Sequence, residues 1–404
     1  MRNVVFAAPF PLHTTMRFAR AAAKLEGVRL LGLVQEPPRG DDAKLFADTV
    51  TVADGLDTRQ LIEGAQLLQK RHGKIHRVLG ILEPLQTQLA HVRRALGVHG
   101  TNPETAELFR DKARMKDELR KHGLPCARHK LIRSAKDAQE FVREVGFPLV
   151  IKPPAGMGAK ATWRIRTTDE LAAALTALHA GPDHPALAEE FLRGREHSFE
   201  TITIGGKVRF TSATRYYPAP LEVVESPWIQ WVVVLPRVID GPDYADARDL
   251  TFRTVKALGL ETGFTHMEWF RRDDGSLAIG EIAARPPGAH IVLGNSYAHD
   301  TDMYRAWARA VVDDAFDGPW ERKYAVGIAF LRGIGNGRVT SVSGVDAVNA
   351  KIGPLVVDSH MPQRGTPRSD SYEGDGYVIV RDPDTEVVKR AMTTVIETIR
   401  IEYG

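Results

Sequence analysis

A single cysteine, Cys126, in 404 residues excludes an internal disulfide framework and any cysteine-based zinc cluster. It is what a reducing compartment allows, so a cytoplasmic location is expected. Long apolar runs are also missing. The best stretches, such as Trp231 to Leu235, have strand length and fall far short of the roughly 18 residues of a membrane span, which removes the membrane as a partner. Charge of one sign is scarce as well: 54 Lys and Arg stand against 51 Asp and Glu, a formal net charge of +3. That is too little to hold an extended run of nucleic-acid phosphates, so no nucleic acid is expected as a ligand. Fixed-period repeats and low-complexity tracts are absent, which sets aside solenoids and propellers. The 14 histidines contain no HExxH zinc signature, and His266 is read as a core or supporting residue rather than a metal ligand. Arg2 and the apolar NVVFAAPFPL that follows lack a cleavage site and carry two prolines, so the opening is read as a first strand and not a signal peptide.

What is present describes an ordinary folded chain. Hydrophobic residues make up 43% and charged residues 26%, and roughly 100 to 200 residues per domain predicts two to four domains. Strands are expected at Asn3 to Ala8, Val28 to Val34 and Arg77 to Leu82, with helices at Arg17 to Leu25 and Leu85 to Leu96. Alternation of this kind predicts a parallel-sheet α/β domain over residues 1–105.

Asn102 and Pro103 supply an N-cap and a first-position proline for a helix that runs to Gly123. Ser134 and Asp137 cap a second helix, which stops at Gly146 before the apolar run Pro148 to Ile151 and Lys152. PPAGMGAKA, residues 153–161, reads as a loop between that strand and a returning one at Thr162 to Arg166. A capping pattern at Thr167 and Glu170 opens a further helix, a strand follows at Ala186 to Leu192, and a hairpin turns at Gly205-Gly206. The central domain is placed at residues 106–330, with a flap subdomain over about 126–190. Residues 331–404 are read as a small α+β domain, in which the turn-rich stretch from Met361 to Gly376 is the mobile loop.

The most informative segment is THMEWFRRDDGSLAIGEIAAR, residues 265–285, in which Asp274-Gly275 signals a hairpin. A two-residue loop sets Asp273 opposite Ser276 and, counting back along the ladder, Glu268 opposite Glu281. Like charges facing each other across a ladder repel unless something neutralises them. A divalent cation does so, and Mg²⁺ shared with phosphate oxygens needs only one or two protein carboxylates. Solvation of this face, or pairing with a cation such as Arg285, is the plainer alternative. Lys152, ending a strand and opening a glycine loop, has the form of a phosphate-contacting lysine, and Lys160 adds a second charge. Neither a P-loop nor a G-x-G-x-x-G fingerprint is matched.

From Asn102 to about Gly294 the chain resembles the ATP-grasp ligases, and the resemblance rests on segment order. DKARMKDELRKHGLP, residues 111–125, is similar to the family segment carrying a first nucleotide-binding lysine, which falls on Lys112. A solvated face shared with Lys116 and Lys121 is the alternative for that residue. PLVIKP is similar to the segment carrying the second lysine, Lys152. AEEFLRGRE, residues 188–196, resembles the hinge that reads adenine through the backbone of Glu190, Phe191 and Leu192, with Glu189 nearby and Glu196 on the ribose. The resemblance further implies metal ligation by Glu268 and Glu281, stabilisation of the transferred phosphoryl group by Arg285, and a flap over the phosphates that includes Gly156, Met157, Gly158 and Lys160. Where many members carry Glu-x-Asn this chain has Glu281-Ile282-Ala283, which leaves open how a second Mg²⁺ is held. The EIAARP run is similar to that of carboxyaminoimidazole ribonucleotide synthases.

The implied fold is an N-terminal parallel α/β domain, a central ATP-grasp domain with an α+β core and mobile flap, and a small C-terminal α+β domain. The implied cofactors are ATP and Mg²⁺, with Mn²⁺ as a substitute. The implied activity is amide or peptide bond formation between small-molecule carboxylate and amine substrates through an acylphosphate, as in the L-amino acid ligases and biotin carboxylase-like carboxylate-amine ligases. Glu83 and Arg215 are the candidate contacts for the ammonium and carboxylate ends of the substrate, with surface salt bridges as the plainer alternative for both. Carboxylation through carboxyphosphate and a non-catalytic nucleotide-binding module are the competing readings. A homodimer is carried as the commonest assembly of soluble enzymes.

Overall fold

The computed structural model describes residues 1–156, 161–226 and 228–404. Met157, Gly158 and Lys160 therefore lie outside the described residues. Among the described residues, no helix is long and apolar enough to cross a membrane.

The chain opens on a four-stranded parallel sheet in the order Asp48–Thr51, Val28–Val34, Arg2–Ala7, Ile75–Leu79. The second of these has the bounds expected from sequence, while the fourth begins two residues earlier than expected. Between residues 35 and 76 the structure adds three elements the sequence reading passed over, the short 3-10 helix Gly40–Leu45, the strand Asp48–Thr51 and the helix Thr58–His72. That helix follows ordinary rules: Asp57 caps it by accepting from Gln60 N, Leu61, Ala65 and Leu68 form its buried stripe, and Gly73 ends it at φ 84°.

The helix expected to run from Asn102 to Gly123 is two helices, Pro103–Arg110 and Lys112–Lys121. Asp111 breaks it. Its backbone is extended, and its carboxylate accepts from both Ala113 N and Arg114 N, so a side chain takes over amide groups that a continuous helix would have bonded internally. The break makes Lys112 the first residue of the second helix, with its own backbone N–H donated to Pro154 O at 3.0 Å. Asp111→Ala is accordingly expected to lower stability by about 1 kcal/mol, as loss of an N-cap does. Denaturant unfolding checks the effect.

An antiparallel sheet follows in the order His129–Ile132, Ala186–Glu190, Leu149–Lys152, Trp163–Ile165, backed by the helices Ala135–Val145 and Thr168–Ala177. Ser134 and Thr167 cap those helices as expected.

The largest layer is an eight-stranded antiparallel sheet. Its order is Leu277–Ala283, Gly263–Arg272, Gly194–Ile204, Lys207–Tyr217, Trp231–Leu235, Ala325–Leu331, Gly376–Asp382, Val356–His360. One sheet thus continues from the hairpin that carries the paired glutamates into the C-terminal residues. The stretch Met361 to Gly376 is tied back at its end, where Trp231 Nε1 donates to Tyr372 O at 2.8 Å and Ala289 N donates to Glu373 Oε1 at 2.9 Å. Helices Ile291–His299 and Met303–Asp313 link this sheet to the first domain, and Trp307 meets Phe6 and Phe18 edge-on.

Candidate active site

Glu268 and Glu281 are cross-strand partners, but the route to that register differs from the expected one. Arg272 N donates to Ser276 O and Gly275 N to Arg272 O, so the loop has three residues, with Gly275 at φ 84°. Arg271 then faces Leu277 and Trp269 faces Ile279. A bulge at Gly280 takes up one residue and brings Glu268 and Glu281 level. A Cβ on Gly280 would lie 3.0 Å from the Phe270 ring, so glycine is what allows the bulge to close against its neighbour strand.

Positive charge is gathered on the same patch. Lys112 Nζ pairs with Glu281 Oε1 at 2.9 Å, Lys152 Nζ with Glu189 Oε2 at 2.9 Å, and Lys116 Nζ with Glu189 Oε1 at 2.7 Å. Lys116 also donates to Gly280 O at 2.7 Å, which clamps the bulge. Lys112 and Lys116 are one turn apart and both buried, while Lys121 is exposed; the solvated face is therefore confined to Lys121. Burial acts to raise the Glu281 and Glu189 carboxyls, but the lysines outweigh it and hold both down at about 2. Burial lowers the Lys116 ammonium below its ordinary value, and Glu189 only partly restores it.

His266, left unassigned by sequence, lies across from Ala283 and reaches between two carboxylates, Glu200 at 3.1 Å and Glu268 at 3.6 Å. Burial disfavours its charge, yet those two partners raise it to about 9. Glu200 is itself buried and accepts from Ser198 Oγ and Thr214 Oγ1. Glu196 has the opposite balance: burial and the nearby Glu268 push its carboxyl well above the usual range. Among the described residues, no group of three or more His, Cys, Asp or Glu is arranged to hold a metal alone. Two facing carboxylates, with a third beside them raised by burial and by the charge of Glu268, nevertheless fit a cation that takes its remaining ligands from phosphate and water.

At the far side, Glu83 sits just past the strand Ile75–Leu79, 4% exposed. It is held by Arg285 at 2.7 Å and Arg110 at 3.3 Å. Arg110 also donates to Gly156 O at 2.9 Å and Ala155 O at 2.6 Å, and Lys112 Nζ donates to Gly156 O at 3.1 Å. The loop after Lys152 is thereby fastened by its carbonyls to the break between two helices. Glu190 accepts from Arg128 and Arg272, and Arg164 lies 4.7 Å over the Phe191 ring.

One cleft of about 640 Å³ gathers most of these groups, lined by Glu83, Lys112, Lys152, Gly156, Glu189, Glu190, Phe191, Leu192, Glu196, Glu268, Glu281 and Arg285, while Arg110 and Lys116 support it from behind. Arg215 is the exception. Strand alternation turns Tyr216 into the cleft and Arg215 to the opposite face, where its Nε donates to Tyr244 Oη at 2.6 Å; the expected substrate contact is corrected on that ground. Sequence reasoning missed Arg110, Lys116 and Tyr372. Spacing of four from Lys112 was the available signal for Lys116, and none marked Tyr372.

Residues 117–291 match the ATP-grasp domain family. Over 251 residues the chain is 26% identical to the L-arginine-specific L-amino acid ligase of Bacillus subtilis, a match that covers 61% of this chain and 60% of that protein. The L-amino acid ligase of Bacillus licheniformis shares the fold at a TM-score of 0.80 and 17% identity, over 100% of this chain and 99% of that one. The N5-carboxyaminoimidazole ribonucleotide synthetase of Thermotoga maritima does so at 0.73 and 19%, over 100% of both. The protein thus has the mixed α/β ATP-grasp fold, its residues 117–291 match the ATP-grasp domain family, and it resembles the L-amino acid ligases.

Proposed function

We propose that the chain is an ATP- and Mg²⁺-dependent ligase that joins a carboxylate to an amine through an acylphosphate, releasing ADP and phosphate. The observation that carries this reading is the convergence of Glu268 and Glu281, Lys112 and Lys152, and Arg285 on one cleft. In this reading, a substrate carboxylate oxygen bonds to the γ-phosphorus as the bond from that phosphorus to ADP breaks, its electrons passing to ADP. The amine then attacks the acyl carbon, loses a proton, and phosphate leaves.

Two anions must meet in the first step. Lys112 and Lys152 hold fixed positive charge there, in a setting where burial strengthens it. Arg285, neutralised at rest by Glu83, is the mobile donor for charge that spreads over the phosphoryl oxygens. Bound Mg²⁺, held by Glu268 and Glu281, supplies neutralisation of the phosphate charge. Arg110 and Lys112 keep the loop carbonyls of Ala155 and Gly156 in place over the same region, which limits access of water to the acylphosphate. Arg110→Ala is expected to raise KM for ATP about tenfold, the loss of roughly one charge-assisted hydrogen bond. An unchanged KM in steady-state assays would show that the clasp contributes nothing.

The name of the Bacillus subtilis relative supports amino acids as the substrate class. The test is ADP release across a matrix of amino-acid pairs with ATP and Mg²⁺. Release that requires both a carboxylate and an amine supports ligation. Release that requires bicarbonate instead favours the carboxyphosphate route, which the EIAARP run allows. Nucleotide affinity without any turnover favours a binding module.

A further inference from the structure

Beyond Arg285 the cleft continues into a chamber that the reading so far leaves unused. Its walls are Tyr216 from the strand Lys207–Tyr217, Val223 from the short helix Pro220–Glu225, Trp231 from the next strand, Ile291 at the start of a helix, and Tyr372 from the C-terminal loop. These residues belong to one hydrophobic cluster with Phe330 and Ile379, so the chamber is the open end of a packed core. Trp231 is fixed on both sides, stacked on Phe330 at 4.5 Å and tilted against Tyr372 at 5.7 Å. The chamber adjoins the reaction centre: a Cβ on Gly288, three residues past Arg285, would lie 2.9 Å from Tyr372 Oη.

The polar atoms of these walls are already used. Tyr216 Oη donates to Ser198 Oγ at 3.0 Å, Trp231 Nε1 donates to Tyr372 O at 2.8 Å, and the Tyr372 hydroxyl is engaged with the Glu373 carboxyl. A charged or amide-bearing side chain entering here would give up its water among wall groups that are already paired, which is how an apolar pocket disfavours polar ligands. An aliphatic or aromatic side chain loses nothing and buries its surface.

Resting on the ligase reading for the site as a whole, we propose that this chamber selects the carboxylate substrate. It receives an amino acid with a branched aliphatic or aromatic side chain, whose carboxylate is presented toward the phosphate-binding part of the cleft. The aromatic walls set specificity and take no part in the chemistry.

The test is calorimetric titration of L-phenylalanine, L-leucine, L-arginine and L-glutamate into the full chain saturated with ADP and Mg²⁺. Phenylalanine and leucine are expected to bind about tenfold or more tightly than arginine and glutamate, the discrimination that a few methylenes give in such a pocket. Equal or tighter binding of the charged pair, or no binding of any of the four, overturns the proposal. Val223→Asp is expected to weaken phenylalanine about tenfold and to abolish its advantage over arginine, with unchanged ADP affinity showing that the variant is folded. If that variant does not fold, Val223→Ala serves in its place, and the enlarged chamber is expected to favour phenylalanine over leucine more strongly than before. The two readings fail separately: apolar binding with no ADP formation from ATP and any amine leaves the chamber standing and removes the ligase, whereas ligation of arginine or glutamate in preference removes the chamber and leaves the ligase.

Discussion

Arg285→Ala is expected to lower kcat by about 10³-fold or more, while the affinity for ADP with Mg²⁺ changes by no more than a few-fold. An arginine that meets charge only as it spreads over a transferring phosphoryl group contributes about 10³ to 10⁵ in rate in comparable reactions. It does not contribute equally to ground-state binding, and that difference is what makes the split between kcat and affinity informative. The same guanidinium is also one of two partners of a carboxylate that is 4% exposed, Glu83, so a purely structural effect must be separated. Arg285→Lys does that. It keeps a charge beside Glu83 but loses the planar fork, and it should recover stability far more than rate. A variant with alanine that turns over at a tenth of the parent rate or better would remove Arg285 from the chemistry and leave it as a clamp on Glu83.

Much of the site could be read in the chain because its parts are local. A strand ending on Lys152, a hairpin signal at Asp274-Gly275 and the run EIAAR each state their own geometry within a dozen residues. Even so, the pairing of Glu268 with Glu281 was reached through two compensating errors. The loop has one residue more than the dipeptide rule supplies, and the bulge at Gly280 removes the discrepancy before the glutamates are reached. Alternation between Arg215 and Tyr216 could be counted, but which of the two faces the cleft depends on which side of the sheet the flap covers, and no local pattern carries that. The helix break at Asp111 was legible in hindsight as an Asp followed by amides it could cap, yet a Pro-started apolar stripe outweighed it. Tyr372 lies far along the chain from Glu268 and Glu281 in a stretch rich in turn formers, so only the continuous eight-stranded sheet brings it to Arg285.

The second large effect concerns the ions beneath the cleft. Glu189 is the shared counter-charge of Lys116 and Lys152, and Lys116 is 0% exposed. Replacing Glu189 with leucine leaves two ammonium groups without their carboxylate, and breaking a buried pair in this way costs about 3 to 5 kcal/mol. Lys116→Met is milder. It leaves Glu189 and Lys152 balanced one to one and forfeits chiefly the bond to Gly280 O, a loss of about 1 to 2 kcal/mol. Adding Lys116→Met to Glu189→Leu should therefore restore part of the stability, because it deletes one of the stranded charges; penalties that simply add would show that the lysines do not depend on Glu189. The dependence on pH has a definite sign. Burial already places the folded-state Lys116 below its ordinary 10.5, and loss of Glu189 lowers it further. Between that folded value and 10.5 the unfolded chain binds more protons than the folded one, so stability rises with pH across the window. The deficit of Glu189→Leu relative to the parent should thus be greatest at neutral pH and shrink toward pH 10, as measured by thermal unfolding. A deficit that stays constant over that range would mean the cost is lost packing and not an unpaired charge, and Lys116 would then be a filler of space beneath the bulge instead of one of its electrostatic supports.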